Sequence, residues 1–162
     1  MHRKYLIAYF SASASRRTKK ISEKIAEVIG ADLYEIVPAV PYTEDDLNWN
    51  DSKSRSSVEM NDPASRPEIA GELPDISHYE TIFVGFPIWW YIAPHIINTF
   101  LESCDLKDKT VVPFSTSGGS PMGQTTAHLR PSAPGALVKD GRRFEMGETP
   151  MAINSWIASL GI

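Results

Sequence analysis

Three apolar runs, Tyr5-Leu6-Ile7-Ala8-Tyr9-Phe10, Thr81-Ile82-Phe83-Val84-Gly85-Phe86 and Thr110-Val111-Val112-Pro113-Phe114-Ser115, constrain this chain more than any other feature. Each has the length of a strand, and the first has no polar face at all, so both of its faces must be covered, as in the interior of a parallel sheet. Helical stripes follow them. After the first run, Ile21, Ile25, Val28 and Ile29 recur at i, i+4, i+7 and i+8, and Gly30 stands where a C-cap is wanted. A helix from about Pro94, with that proline in its first turn, turns Ile96, Ile97, Phe100 and Leu101 inward. A short helix near Gln124 to Arg130 follows the third run, and a last one opens on Thr149-Pro150 with Ile153, Trp156, Ile157 and Leu160 at helical spacing. Leu33-Tyr34-Glu35-Ile36-Val37, closed by Pro38, suits an edge strand, and Ala136-Leu137-Val138 supplies a fifth.

Strands alternating with helices imply an α/β fold, a doubly wound parallel sheet between two helical layers. At 162 residues the chain fits one domain, 1–162, with a sizeable core. Residues 38–75 interrupt the alternation: Pro38, Pro41, Pro63, Pro67 and Pro74 among many Asp, Asn and Ser make a long connection with one short helix near Ser56 to Met60. A connection of this length is functional or mobile. In such a sheet, ligands bind beyond the carboxyl ends of the strands where the strand order reverses, so the turns after the first, third and fourth strands converge on one site.

Composition removes whole classes of function. A formal charge of −4 argues against broad nucleic-acid binding, so any anion site is local. One cysteine, Cys104, excludes an internal disulfide and a multi-cysteine zinc site, and no apolar segment offers a signal peptide or a membrane span. These features place the chain in the cytoplasm.

The turn after the first strand, Ser11-Ala12-Ser13-Ala14-Ser15-Arg16-Arg17-Thr18, leads into a helix N-terminus. Hydroxyls, free N–H groups and the helix dipole together make a phosphate cradle to which Arg16 and Arg17 add charge; the alternative is a Ser-rich cap with two solvated arginines. In the second turn, Pro87-Ile88-Trp89-Trp90-Tyr91-Ile92-Ala93-Pro94, the large rings are either lids on the core or stacking platforms for a flat ligand. Adjacent tryptophans cannot point the same way, so one of Trp89 and Trp90 faces the cleft. The third turn, Thr116-Ser117-Gly118-Gly119-Ser120, allows close backbone approach to a ligand and offers amides to the carbonyl oxygens of a heteroaromatic ring, or is a plain turn.

Phe10-Ser11-Ala12-Ser13, Gly85-Phe86-Pro87-Ile88-Trp89-Trp90 with Ala93-Pro94, and Pro113-Phe114-Ser115-Thr116-Ser117-Gly118-Gly119-Ser120 together resemble the flavodoxin-like FMN-binding proteins, in the same order over nearly the whole chain. The loop holding Pro41-Tyr42-Thr43, Asp46-Leu47-Asn48-Trp49 and Arg66-Pro67 is similar to a bacterial branch of that family. The resemblance implies a five-stranded sheet of order 2-1-3-4-5. It places FMN phosphate on the first turn, at Ser11, Ser13 and Thr18, with the isoalloxazine ring between Pro87–Ile92 and Thr116–Gly119. The family's phosphate loop usually has glycine and an earlier threonine; here glycine is absent and Thr18 comes two positions late, which brings Ser15, Arg16 and Arg17 into the cradle. It further implies redox chemistry, either as an oxidoreductase of small acceptors of the quinone or nitro type or as a one-electron carrier for a protein partner. Because Trp90-Tyr91-Ile92-Ala93-Pro94 contains no glycine, left-handed backbone there costs about 1–2 kcal/mol per residue, and two-electron chemistry is expected.

Gly118 to Thr125 comes within one residue of a nucleotide-binding P-loop, but Gln124 stands where the phosphate-reaching lysine belongs. Ser11-Ala12-Ser13 lacks the acidic residues of a phosphorylation receiver, and no G-x-S-x-G follows a strand. His95 is either near the ring or a core-edge histidine, Cys104 a small buried residue, and Trp49 and Tyr42 either flavin covers or loop anchors.

Overall fold

The apolar runs take the middle of one sheet. In the computed structural model, which describes residues 4–12, 16–116 and 122–162, they form β1 (Tyr5–Tyr9), β3 (Thr81–Phe86) and β4 (Thr110–Ser115), all parallel. Among the described residues β2 (Asp32–Glu35) pairs only with β1, and β5 (Leu137–Val138) lies outside β4, giving the order β2-β1-β3-β4-β5. Ile7, Phe83 and Val112 stand in register across the three central strands. They pack with Ile21 and Ile25 of α1 (Arg17–Ile29) and with Ile153 and Trp156 of α5 (Pro150–Leu160). The alternate residues Leu6, Ile82 and Val111 face the other layer, Ile96, Ile97 and Phe100 of α3 (His95–Glu102) and Leu129 of α4 (Thr125–Leu129). The strands are apolar on both faces because a helical layer covers each.

Local signals close the helices as their residues dictate. Gly30, left-handed at φ 70°, donates its N–H to Ala26 O. Thr149 Oγ1 accepts from Ala152 N at 3.1 Å, with Pro150 as the first helical residue. Pro94 is not in the first turn of α3, as the sequence suggests, but at its cap, with ψ 146°.

The fifth strand position is filled in two pieces, since β6 (Arg142–Arg143) also pairs with β4. Lys139 N–H donates to Val111 O and Phe144 N–H to Ser115 O, so the odd residues of β4 face this edge. Pro113 lies between them and has no N–H to give, and here the ladder breaks. From Val111 to Phe114 β4 advances three residues while its neighbour advances four, from Val138 to Arg142, a one-residue bulge.

The long connection is drawn closed at its base by an antiparallel bridge between Pro38 and Ile69. Within it lies α2 (Arg55–Asn61), capped by Ser54 and braced by Arg55, which bonds Glu59 and the carbonyl of Val40. No helix of the described residues is long and apolar enough to cross a membrane.

Candidate functional site

The turns after β1, β3 and β4 are fastened to one another. Thr18 Oγ1 and Thr116 Oγ1, both buried, lie 2.7 Å apart and join the first turn of α1 to the end of β4. Phe10 N–H donates to Gly85 O at 2.9 Å, and the Phe10 ring meets Trp89 edge-on at 5.7 Å. Gln124 N–H reaches Tyr91 O, and Gly123, at φ 58°, is packed so tightly on Tyr91 that an added Cβ would lie 2.3 Å from that oxygen. Glycine is therefore required there.

Ser13 and Ser15 of the first turn lie outside the described residues, but the rest of the cradle is placed. Ser11 is buried and its hydroxyl has no hydrogen-bond partner among the described residues. Arg16 precedes α1 in the left-handed region at φ 55°, no side chain among the described residues caps the helix, and its first turn holds no acidic residue. The N–H groups and the positive dipole end are thus uncompensated among the described residues. Arg16 does not turn to this space: its Nη2 lies 2.6 Å from Glu35 Oε2 on β2, and its Nη1 contacts Ser11 O. Arg17 is exposed and has no ion pair among the described residues. Tyr9 also leans on Glu35; burial, reinforced by that carboxylate, pushes its phenol up to about 12.

The second turn begins at Pro87 and Ile88 and becomes a hairpin. Trp89 and Ile92 exchange backbone hydrogen bonds of 3.0 and 3.3 Å around Trp90 and Tyr91, which sit at φ 51° and 67°. Two consecutive positive φ angles in a two-residue loop make a type I′ turn, normally the preserve of Asn and Gly. The expectation that this glycine-free loop avoids left-handed backbone is therefore overturned: packing on Gly123 holds two bulky residues there, at about 1–2 kcal/mol each. Trp89 is a lid, enclosed by Phe10 and by Tyr42 at 5.3 Å. Tyr42 is itself clamped, with the Arg55 guanidinium 3.8 Å over its ring and its hydroxyl on Glu59, so it anchors the connection. Trp90 and Tyr91 point outward, 39% and 67% exposed.

Of the third turn, Ser117, Gly118 and Gly119 lie outside the described residues, while Thr116 is buried next to Ser115, whose hydroxyl has no partner among the described residues. Beside the hairpin opens a cleft of about 430 Å³, lined by Leu47, Trp49, Ser56, Ile88, Trp89, Trp90 and Tyr91. Trp49 is 72% exposed and anchors nothing by burial. Ser56 and Leu47 escape a reading of the sequence, because only the folding of the connection carries them to the hairpin.

His95 is buried away from the aromatic cleft, in a polar chain that links three elements. Its Nδ1 bonds Ser65 of the connection, and its ring stacks on His128 of α4 at 5.4 Å. His128 Nε2 donates to Asn98 Oδ1, Asn98 Nδ2 to Ser132 Oγ, and Ser132 Oγ to Glu102, which also binds Arg66 at 2.9 Å. Burial lowers the pKa of both imidazoles. Cys104 is half-buried, its thiol pushed up to about 11 by burial, and no group of metal-ligating side chains occurs among the described residues.

No curated relative matches the chain. Among solved structures, a candidate flavoprotein of Bacteroides eggerthii is 47% identical with a TM-score of 0.91, covering 98% of each chain. One of Bacteroides uniformis is 44% identical with a TM-score of 0.87 over 96% of this chain and 97% of its own. A flavoprotein of Lactobacillus acidophilus in complex with FMN is 25% identical with a TM-score of 0.73, covering 99% of this chain and 100% of its own. The family model described as flavodoxin matches residues 4–160, which takes in every strand, all three turns and the closing helix: the chain belongs to the flavodoxin family.

Proposed function

We propose that the protein is a cytoplasmic FMN-dependent oxidoreductase of small acceptors. The observation that carries the cofactor is the start of α1, uncapped among the described residues, beside the buried hydroxyl of Ser11, which has no partner among them, an arrangement suited to an anion. The Lactobacillus acidophilus relative with FMN supports the same reading. Ser11, Thr18, the first-turn N–H groups and Arg17 would hold the phosphate. Of the two bonded hydroxyls, Thr18 and Thr116, one keeps a proton to donate to a third group. Trp90, Tyr91 and Ile92 would lie against the ring, with Thr116 and the turn beyond it on the other side. Bound FMN supplies electron exchange between a donor and an acceptor, and the protein supplies orientation and electrostatics.

Comparing FMN with riboflavin isolates the phosphate. FMN is expected to bind more tightly, with the difference shrinking in salt and on Arg17→Ala. Ser11→Ala is expected to lower FMN affinity about tenfold, near 1.4 kcal/mol, with little effect on riboflavin. Arg16→Ala is expected to leave the difference nearly intact, because Glu35 already engages that charge. Equal affinities for the two flavins in the unaltered protein would refute the cradle.

A carrier role for a protein partner is the second reading, and the exposed Trp90 and Tyr91 favour it. The hairpin backbone speaks for the enzyme. Turning the Trp90–Tyr91 peptide over converts type I′ into type II′, whose first position takes glycine, and Trp90 holds that position. The loop therefore resists presenting a new carbonyl on reduction, and electrons are expected to enter in pairs. In an anaerobic reductive titration the oxidised spectrum should pass directly to the reduced one, with a long-wavelength band at half reduction only in Trp90→Gly. A strong band in the unaltered protein would restore the carrier.

A further inference from the structure

At the outer edge of the sheet, beyond β4, lies a cavity of about 560 Å³ that takes none of its lining residues from the turns after β1, β3 and β4. It opens where the outer strand is split. Gly141, in the bulge between β5 and β6, is drawn so close to β4 that an added Cβ would stand 1.9 Å from Pro113 O. The bulge bends this edge and interrupts its row of amides, so the edge suits a compact ligand better than an added strand.

Charge defines the ligand. Arg130, just after α4, and Lys139 and Arg142, around the bulge, all line this cavity, against a single acid, Asp140, in a chain whose formal charge is −4. Arg130 and Lys139 have no ion pair among the described residues. Arg142 is held in place, its guanidinium 4.4 Å over the Phe144 ring and its Nη2 3.2 Å from Glu148 Oε2. Its Nη1 is nevertheless buried with no hydrogen-bond partner among the described residues, whereas native structures pair the large majority of such atoms. Like charges gathered on one wall repel unless an anion lies between them. Beside the cations the wall is apolar, with Trp156 and Leu160 of α5 and Leu137, which is 59% exposed. The volume lies within the usual size of small-molecule sites.

We infer that this cavity is a second anion site, for a small phosphate monoester with an apolar body. The monoester group carries up to two charges and three acceptor oxygens, which matches three cationic groups; a carboxylate, with one charge and two oxygens, leaves part of that wall uncompensated. Leu137 and Trp156 receive the apolar body. Strands β3 and β4 stand between this edge and β1, whose turn holds Ser11, so the site does not rest on the cofactor proposed above.

Titration of the full chain with phenyl phosphate tests this, after loading with FMN where it binds FMN and removal of excess flavin, with amide and indole NMR signals as the readout. Saturable shifts are expected, centred on Val138–Arg142 and the Trp156 indole, and weakening as salt is raised. Inorganic phosphate, benzoate and benzyl alcohol, run in parallel, should each bind more weakly. Arg130→Gln and Lys139→Gln should each weaken phenyl phosphate about tenfold. Neither side chain has an ion pair to lose, so the melting temperature and FMN affinity should stay as they are. Lys53→Gln, which removes the same charge from the long connection, should leave phenyl phosphate binding unchanged. Absence of saturable shifts, shifts centred elsewhere, or equal weakening by Lys53→Gln overturns the site. Benzoate binding as tightly as phenyl phosphate overturns the phosphate assignment, and inorganic phosphate doing so overturns the apolar body. Phenyl phosphate binding in a chain that does not take up FMN would leave this site standing and defeat the proposed cofactor instead.

Discussion

Phe114→Ala is expected to lower stability by about 3–5 kcal/mol, near half of what a protein of this size ordinarily has, and to drop the melting temperature by roughly 10 °C or more. The ring is fully buried and meets Phe144 and Trp156 edge-on at 5.9 and 6.5 Å. Its tip lies over Gly85, its register neighbour on β3, where an added Cβ would stand 2.2 Å from Cζ. Gly85→Ala alone is therefore expected to cost about 1–3 kcal/mol through overpacking. In a Phe114→Leu background the same change should cost clearly less, because the shorter side chain vacates the contact. Urea unfolding of the four proteins in the cycle measures the coupling. A Gly85→Ala protein as stable as the parent, with additive effects, would remove Phe114 as the reason for that glycine. The effect reaches the site as well, since Gly85 O receives the Phe10 N–H that joins the first two turns.

The central strands were legible because burial on both faces leaves an uninterrupted apolar run, and α1 and α5 because their ends carry a glycine and a Thr-Pro pair whose conformational preferences are local. What escaped the sequence depends on partners far along the chain. Nothing in Trp89-Trp90-Tyr91-Ile92 announces a type I′ hairpin, since neither central residue favours positive φ; the turn packs on Gly123, more than thirty residues later, where only a glycine leaves it room. Arg16 reads as a phosphate ligand by its position at a helix start, yet Glu35 on the neighbouring strand engages it. The split of the outer strand follows from Pro113, whose missing N–H matters only once it faces that edge. That the three turns meet was readable because a doubly wound sheet dictates where its strand ends come together, whereas Ser56 reaches the hairpin only through the path of an irregular connection.

Stability is expected to fall as pH drops below about 6.5, and the stacked imidazoles of His95 and His128 are the cause. Burial, then the neighbouring His128, then Arg66 lower the pKa of His95, with Glu59 opposing; burial and then Arg66 lower that of His128. Both rings thus stay neutral in the fold over a range where the unfolded chain, titrating near 6.5, already binds protons. Stability gained from the neutral rings is complete above that value and is lost as pH falls towards the folded-state values, by at most about 1.4 kcal/mol per pH unit for each ring. Glu102, held by Arg66 below its ordinary value of 4.5, remains ionised between pH 5 and 7 (roughly the window of the histidine effect) and does not contribute to the slope. Protonation would set a cation against a second imidazole and Arg66, loosening the Ser65 and Arg66 end of the connection from α3 and α4. Chemical unfolding across this window should show the slope reduced in His128→Gln and nearly abolished when His95 is replaced as well. An undiminished slope in the double variant would assign the acid sensitivity to other groups.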